Sequence, residues 1–215
     1  MLEAATAMID EVGIERFSVR ALAERLGVFP AAIYWYLPTR NAILAAVVNH
    51  CVRDIDPRAD PADWKAWLRE LFYCYRVVVR RHPHIAPLMN SQLLSNAGAD
   101  LGLIERILAV LDRAGFEGET LLAAYDIVIT TTVGFVTMEH ASPPAENSEA
   151  WVEHMRGVID GLDEAAYPTL ARHKAALANR HFVLRWENGV TVPLEASFEA
   201  YVYTVIEGLR QLLTR

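Results

Sequence analysis

Apolar residues recur at helical spacing along nearly the whole chain, and glycine or proline separates one apolar series from the next. The spacing predicts several short helices near the N-terminus and mostly longer ones beyond them. In chain order, the predicted helices cover residues 2–12, 19–26, 30–36, 40–55, 62–81, 84–94, 100–114, 118–140 and 194–213. The pattern therefore predicts an all-α fold. One segment, 181–192, fits a helix and a hairpin equally well because it contains an Asn-Gly pair.

A polar stretch with two prolines, DPRADPAD at residues 56–63, divides this pattern into two parts. Such composition is typical of a linker, so we place the domain boundary there. The predicted domains are an N-terminal DNA-binding domain at 1–55 and a ligand-binding and dimerisation domain at 62–215.

The DNA-binding prediction starts from two short helices joined by a glycine turn. Ser18 is a favourable N-cap for the helix at 19–26, Gly27 ends that helix, and Pro30 opens the next one. A short helix, a tight turn and a second short helix form the helix-turn-helix pattern, whose second helix lies in the major groove of DNA.

The second of these helices carries three consecutive aromatic residues, although the segment is too short to form a hydrophobic core by itself. Val28, Ile33 and Leu37 are expected to face inward. Side chains on the other side would contact DNA bases or phosphates rather than solvent. The residues expected to face outward are Phe29, Ala31, Tyr34 and Trp35, while Tyr36 fits core and surface equally well.

Charge supports a DNA surface locally although the chain as a whole is acidic. The net charge is −7, but residues 16–50 contain four arginines against one acid, Glu24. A local positive patch is what a phosphate-binding face requires. Arg20, in the first turn of its helix, is placed to reach a base edge, and Arg40 to reach a phosphate, whereas Arg25 fits a solvated surface charge better.

These segments resemble the TetR family of transcriptional repressors, and within it the tetracycline-repressor-like branch. The resemblance is carried by FSVRALAERLGVFPAAIYWYLPTRNAIL at 17–44 and, more weakly, by AVLDRAGFEGETLLAAYDIVITTTVGFVTMEHA at 109–141. It implies a homodimer with two DNA-binding heads, a double-stranded DNA operator and a small-molecule effector. With the residue pattern, it assigns DNA binding to Ser18, Arg20, Phe29, Ala31, Tyr34, Trp35, Tyr36 and Arg40.

The helices at 118–140 and 194–213 are apolar on more than one face. On the first of these helices, one face consists of Leu121, Tyr125, Val128 and Thr132, and the other of Leu122, Ile129, Val133 and Val136. One face can fill the core of a single chain, and the second predicts a four-helix bundle formed by two helices from each of two subunits. Gly134 and Gly208 would allow close approach. A thick core within one chain remains the alternative.

Aromatic and methionine side chains on the inward stripes also predict a pocket, although each of them, taken singly, fits an ordinary core residue better. The resemblance implies that the pocket lies between the helices at 62–81, 84–94, 100–114 and 118–140. Asp56, Leu71 and Met89 occupy three positions that hold magnesium-bound tetracycline in the family's namesake, so we expect a largely apolar effector and no metal or cofactor. The predicted lining residues are Trp67, Leu71, Tyr75, Met89, Leu93, Ile104, Leu108, Tyr125 and Ile129.

Other function classes find little support in the sequence. We find no nucleotide-binding, metalloprotease or hydrolase motif, so we expect no enzyme. His82 and His84 have metal-ligand spacing but flank a proline and fit a structural role better. The absence of a signal peptide, a long apolar run and a disulfide framework predicts a cytoplasmic protein. The alternatives are a helical bundle that binds small molecules or lipids, or an enzyme, without DNA binding; the residues also leave activator and repressor open.

Overall fold

The computed structural model describes residues 1–53, 55–89, 100–141, 148–177, 180 and 187–214, and helix is the regular structure that these residues form. This confirms the all-α prediction. A 3₁₀ turn at Pro83–Ile85 follows α5. The helices are α1 (Leu2–Arg16), α2 (Val19–Leu26), α3 (Pro30–Tyr36), α4 (Arg40–Val52), α5 (Trp64–Arg81), α6 (Leu101–Arg113), α7 (Gly118–Glu139), α8 (Ser148–Asp160), α9 (Pro168–Leu177) and α10 (Glu195–Leu212).

The predicted bounds of α2 and α3 agree with the structure, whereas α1 and α4 differ. Helix α1 continues to Arg16 across Gly13, whose φ of 78° and ψ of 168° interrupt the helical geometry. Helix α4 ends at Val52 rather than at residue 55. Helices α8 and α9 were not predicted, and most of their residues are exposed. Helix α8 does carry apolar residues at helical spacing, namely Trp151, Val152, Met155 and Ile159, so its pattern was overlooked.

Helices α1–α4, which we call the head, pack around a small apolar core. Ile9, Leu22, Ile33, Ile43 and Val47 are each no more than 2% exposed and come from all four helices. This core sets the orientation of α2 relative to α3. The recognition geometry of the head therefore depends on ordinary hydrophobic packing.

Helices α5–α10 are called the body, and within it α5, α6, α7 and α10 surround a second and larger part of the core. Phe72 of α5, Phe116 before α7 and Phe198 of α10 are buried at its centre. By length and composition alone α7 could span a membrane. In this fold it packs against α5, α6 and α10, which is the position of a core helix in a helical body.

Of the predicted second apolar face of α7, Leu122 is exposed but the valines farther along the helix are not. Val133 and Val136 are 5% and 1% exposed, so both belong to the core of this chain. The exposed side of α7 is a stripe of mostly small or apolar residues at helical spacing, and α10 carries a similar stripe. We call these stripes the bundle face; they consist of Leu122, Ala123, Asp126 and Thr130 on α7, and Ala200, Tyr203, Thr204 and Gly208 on α10.

A buried charge cluster, which sequence reasoning missed, joins α5, α7 and α10. Arg76 is 3% exposed and donates to both carboxylate oxygens of Glu139, which is fully buried, at 2.8 and 2.6 Å. Arg76 also donates to Glu195, and its guanidinium lies 4.5 Å from the ring centroid of Phe198. Because a buried charge is expensive unless it is paired, this arrangement ties three helices to one geometry.

The loop before α10 closes on the same carboxylate. The Leu194 amide donates to Glu139 Oε1 at 2.8 Å, and the Gly189 amide donates to the Glu139 carbonyl at 2.7 Å. Burial alone would raise the pKa of Glu139, but the hydrogen bonds from Arg76 and Leu194, together with the charge of Arg76, outweigh it and lower the pKa. Within the described part of the ambiguous segment, 188–192 forms a turn around Asn188; residues 181–186 lie outside the described residues.

Gly189 lies so close to Glu139 that a larger residue does not fit. A Cβ at this position would lie 2.5 Å from Glu139 Cγ and 3.0 Å from its carbonyl oxygen. We expect Gly189→Ala to lower the free energy of unfolding by about 1–3 kcal/mol, the usual cost of overpacking a buried site. Denaturant unfolding measures this loss. Gly157→Ala is the control: it is an exposed helical glycine with open space around it, so it should be neutral or slightly stabilising.

Candidate nucleic-acid interface and effector site

The turn between α2 and α3 is fixed by local hydrogen bonds and by one glycine. Ser18 caps α2, its hydroxyl accepting from the Ala21 amide at 3.2 Å. At the other end Gly27 adopts a left-handed φ of 66°, which an L-residue with a side chain rarely takes. The Val28 amide then donates to the Ala23 carbonyl at 3.0 Å, which completes the C-terminal cap.

Helix α3 is attached to the head mainly through one side chain. Pro30 occupies its first turn, where the missing amide hydrogen costs nothing. Ile33 is 2% exposed and anchors the helix in the core, while Leu37 is half-buried. Val28, predicted to face inward, is 43% exposed because the chain has already left the core at the end of the turn.

The remaining side of α3 is an aromatic surface open to solvent. Phe29, Trp35 and Tyr36 are 85%, 78% and 69% exposed, and Tyr34 is also exposed. The rings of Trp35 and Tyr36 pack edge to face with centroids 4.6 Å apart. Exposure of so many large rings on a seven-residue helix is unusual in a soluble protein and marks an interaction surface. Ala31 is exposed on the same helix.

The arginines predicted to lie on the DNA-binding side differ in whether they already bind another residue of the head. Arg20 is exposed, and no described residue pairs with it. Arg25 is bound to Glu11 of α1, with an Nη1 to Oε1 distance of 3.1 Å. Arg40 is exposed but donates from Nη2 to the Ile14 carbonyl at 2.7 Å, so one nitrogen of its guanidinium already binds the C-terminal end of α1. The guanidinium has further donors for a phosphate.

The histidines that flank Pro83 connect the body to the head. Nδ1 of His82 donates to Asp10 Oδ2 at 2.7 Å, and Nδ1 of His84 donates to the Ile9 carbonyl at 2.9 Å. Because a carboxylate and a carbonyl only accept, both imidazoles carry the proton on Nδ1. Both contacts reach α1, so the junction after α5 holds the head as well as the body.

The predicted effector-lining residues that the structure describes lie in the body and differ in exposure. Trp67, Leu71, Tyr75 and Met89 are no more than 9% exposed. Burial raises the pKa of Tyr75, and the neighbouring charge of Asp100 raises it further. Leu93 lies outside the described residues. The half-buried members of the set are Ile104, Leu108, Tyr125 and Ile129.

Two family models match the two parts of the chain. Residues 1–47 match the model described as bacterial regulatory proteins of the tetR family. Residues 56–213 match the model described as the tetracyclin repressor-like C-terminal domain. The chain belongs to the TetR family. Proteins of this family are DNA-binding transcriptional regulators rather than enzymes, with a ligand-binding C-terminal domain, and they typically dimerise through a four-helix bundle.

Relatives of known name support the TetR assignment. The chain is 29% identical to the class A tetracycline repressor protein from transposon 1721 of Escherichia coli, over 86% of this chain and 92% of that protein. It is also 29% identical to an HTH-type transcriptional regulator of Saccharopolyspora erythraea, over 80% of this chain and 72% of that protein. These matches extend beyond the head into the body.

Two solved TetR-family structures have similar folds. ActR of Streptomyces coelicolor in complex with actinorhodin has a TM-score of 0.71 and 20% identity, and the match covers all of this chain and 96% of ActR. BioQ with its natural double-stranded DNA operator has a TM-score of 0.58 and 25% identity, covering 74% of this chain and 93% of BioQ. The first structure is a complex with actinorhodin, and the second is a complex with a double-stranded DNA operator.

Sequence reasoning missed a second arginine besides Arg76. Arg106 of α6 donates to the Ile55 carbonyl and to Asp56, which follow α4. For both Arg76 and Arg106, the sequence shows only a charged residue next to the apolar stripe of a predicted helix. In this TetR-family chain both arginines are partnered by residues 50 or more positions away, and one sequence does not reveal such pairings.

Proposed function

We propose that this chain is a transcriptional repressor that binds a palindromic operator as a homodimer and is released by a small, largely apolar effector. Residues 1–55 bind DNA, and residues 62–215 bind the effector and the second subunit. A protein that reads chromosomal DNA in this way works in the cytoplasm.

The observation that carries the DNA-binding proposal is the exposed aromatic surface of α3, together with an exposed Arg20 on α2 that pairs with no described residue. Trp35 and Tyr36 form a rigid projecting pair, because each ring limits the motion of the other. Rings of this kind pack on thymine methyl groups and sugars, and tyrosine hydroxyls bind phosphates. Few hydrogen-bonding groups occur among Phe29, Pro30 and Ala31, so base reading falls mainly on Arg20, methyl contacts and DNA shape.

The homodimer proposal is supported by the bundle face. Its side chains are mostly small or apolar, at helical spacing on both α7 and α10, and these two helices pack side by side. A twofold pair of such faces makes a four-helix bundle. The two recognition helices then meet successive major grooves about 34–36 Å apart.

The switch requires that the body controls the position of the head. Helix α4 leads from the head to the body, and His82 and His84 add a second connection to α1. An effector that enters among the predicted lining residues displaces these connections and changes the spacing of the two recognition helices. Coupling of about 1–3 kcal/mol is enough for a working switch.

The effector pocket differs from that of a tetracycline repressor in its polar groups. Leu71 and Met89 are buried apolar residues at two of the positions that the resemblance assigns to magnesium-tetracycline binding. An apolar or aromatic molecule with few polar groups fits this surface better than tetracycline does.

Footprinting on the promoter region next to its own gene tests the DNA-binding proposal. We expect the wild-type chain to protect a palindromic site, and Arg20→Ala to weaken operator binding by about 1–3 kcal/mol, because it removes a contact to a base edge. Arg25→Ala is the matched control. It changes the same residue type on the same helix, but Arg25 is already paired with Glu11, so operator affinity should stay close to that of the wild type.

The proposed function fails on either of two results. The first is a dimer that binds the promoter DNA no more tightly than unrelated DNA at low salt. The second is an equal loss of operator affinity in Arg20→Ala and Arg25→Ala, which would place the DNA-contacting surface elsewhere on the head.

A further inference from the structure

Arg106 connects the body to the segment that leaves the head. Its Nη2 donates to the Ile55 carbonyl at 2.9 Å, and its Nη1 donates to Asp56 Oδ1 at 2.8 Å. Ile55 is 3% exposed and follows closely on α4, which ends at Val52. One guanidinium therefore holds both the backbone and a side chain of the segment through which α4 joins the body.

The third nitrogen of this guanidinium is not used. Nε of Arg106 is buried and has no hydrogen-bond partner within the described residues. A buried N–H without an acceptor is costly, and native structures rarely keep one without a reason. The rest of the Arg106 side chain is in contact with solvent. The guanidinium is therefore partly accessible, while its buried Nε has no acceptor.

Arg106 also stands next to the predicted effector site. Its partner Asp56, at 2.8 Å, occupies one of the three positions that the resemblance assigns to effector binding. Asp100 caps α6, accepting from the Leu103 amide at 3.1 Å, which fixes the start of the helix that carries Arg106. The guanidinium therefore contacts both a predicted effector position and the segment through which α4 leaves the head.

We propose that Arg106 passes effector binding to the head, and that the effector carries an oxygen acceptor that binds Arg106 Nε. This inference rests on the proposed function. A phenolate, enolate or carboxylate on an apolar ring system provides such an oxygen. It satisfies the buried N–H and competes with Asp56 for the same positive charge.

Competition of this kind is effective because the existing pair is weak. The Asp56 side chain is 72% exposed, and the attraction between exposed ions is small in water. A charge-assisted hydrogen bond formed inside the body is stronger. When the guanidinium turns toward the effector it no longer fits both Ile55 and Asp56, so the end of α4 is held less firmly and the head can move.

Operator binding by the full-length dimer tests the coupling role. Without effector, Arg106→Ala should weaken operator binding by roughly 5- to 150-fold, the usual range of allosteric coupling, because the variant resembles the effector-bound state. The dimer and the thermal midpoint should be retained. Arg113→Ala, an exposed arginine on the same helix, is the control and should bind the operator like the wild type.

The acceptor is tested with three probes that share one ring system: 2-naphthoic acid, 2-naphthol and 2-methylnaphthalene. Calorimetric titration of the wild type should show the two oxygen-bearing probes binding roughly 10-fold or more tightly than the hydrocarbon, as expected for a hydrogen bond to a charged group. In Arg106→Ala the three affinities should become similar, whereas Arg113→Ala should keep the preference.

The outcomes separate this inference from the proposed function. If the wild type does not bind its promoter, the proposed function fails and the inference fails with it. If the wild type binds the promoter but Arg106→Ala matches it in operator affinity, only the inference is overturned. Equal binding of the three probes to the wild type, or no binding of any, also overturns it.

Discussion

Arg76→Ala is expected to lower the free energy of unfolding by about 3–5 kcal/mol, because it leaves the carboxylate of Glu139 buried without its cation. Glu139 is fully buried, and two of the hydrogen bonds to its side chain come from Arg76. The variant also loses the contact between the guanidinium and the Phe198 ring. Since many domains have a total stability of only 5–15 kcal/mol, this loss should be visible in the denaturant midpoint.

Arg80→Ala is the matched control for Arg76→Ala. Arg80 lies one helical turn farther along α5 and shares the partner Glu195, at 2.7 Å, but its side chain is 42% exposed. Exposed ion pairs contribute roughly 0–1 kcal/mol, so this variant should unfold close to the wild type. Equal losses in both variants would contradict the assignment of the buried pair as the main electrostatic tie between α5 and α7.

The contrast between these arginines also shows what the sequence could predict about the fold. Helices α2 and α3 were predicted with their observed bounds because Ser18, Gly27 and Pro30 are strong local signals. The ion pair between Arg76 and Glu139 is nonlocal, since 63 positions separate its members. No local pattern distinguishes a buried arginine from one on the surface of an amphipathic helix.

The candidate site divides in the same way. Exposure of Tyr34 and Trp35 could be predicted because a seven-residue helix has only one face to bury, and Ile33 occupies it; the exposure of Tyr36 was left open. The role of Arg106 could not be predicted, because it depends on how α6 lies against the segment after α4. Periodicity identifies which residues share a helix face, but it does not identify the neighbour that covers that face.

The bundle face of α7 shows a related limit of prediction from sequence. Apolar periodicity marked Val133 and Val136 as candidates for a second subunit, yet both are buried within the chain. The residues that remain exposed include Ala123 and Thr130, which are small rather than strongly apolar. A close helix-helix interface favours small residues, so hydrophobicity alone was a poor guide to the side left for a partner.

Gly208→Arg is expected to convert the dimer to a monomer and to weaken operator binding by roughly 10²- to 10⁴-fold, because one subunit alone loses the gain from binding two half-sites together. Gly208 is exposed on α10, and a Cβ there would meet nothing within 4 Å in this chain. The substitution therefore disturbs no contact inside the subunit. In a twofold bundle it places two arginines near each other in a desolvated interface, where like charges repel.

Gly157→Arg provides the comparison. Gly157 is also an exposed helical glycine with open space around it, but it lies on α8, outside the bundle face. Replacing a helical glycine should favour the helix similarly at both positions, so a difference between the variants reports the interface rather than helix propensity. Sedimentation equilibrium gives the mass of each variant, and operator titration gives the affinity. A Gly208→Arg chain that remains a dimer with wild-type operator affinity would place the subunit contact away from this side of α7 and α10.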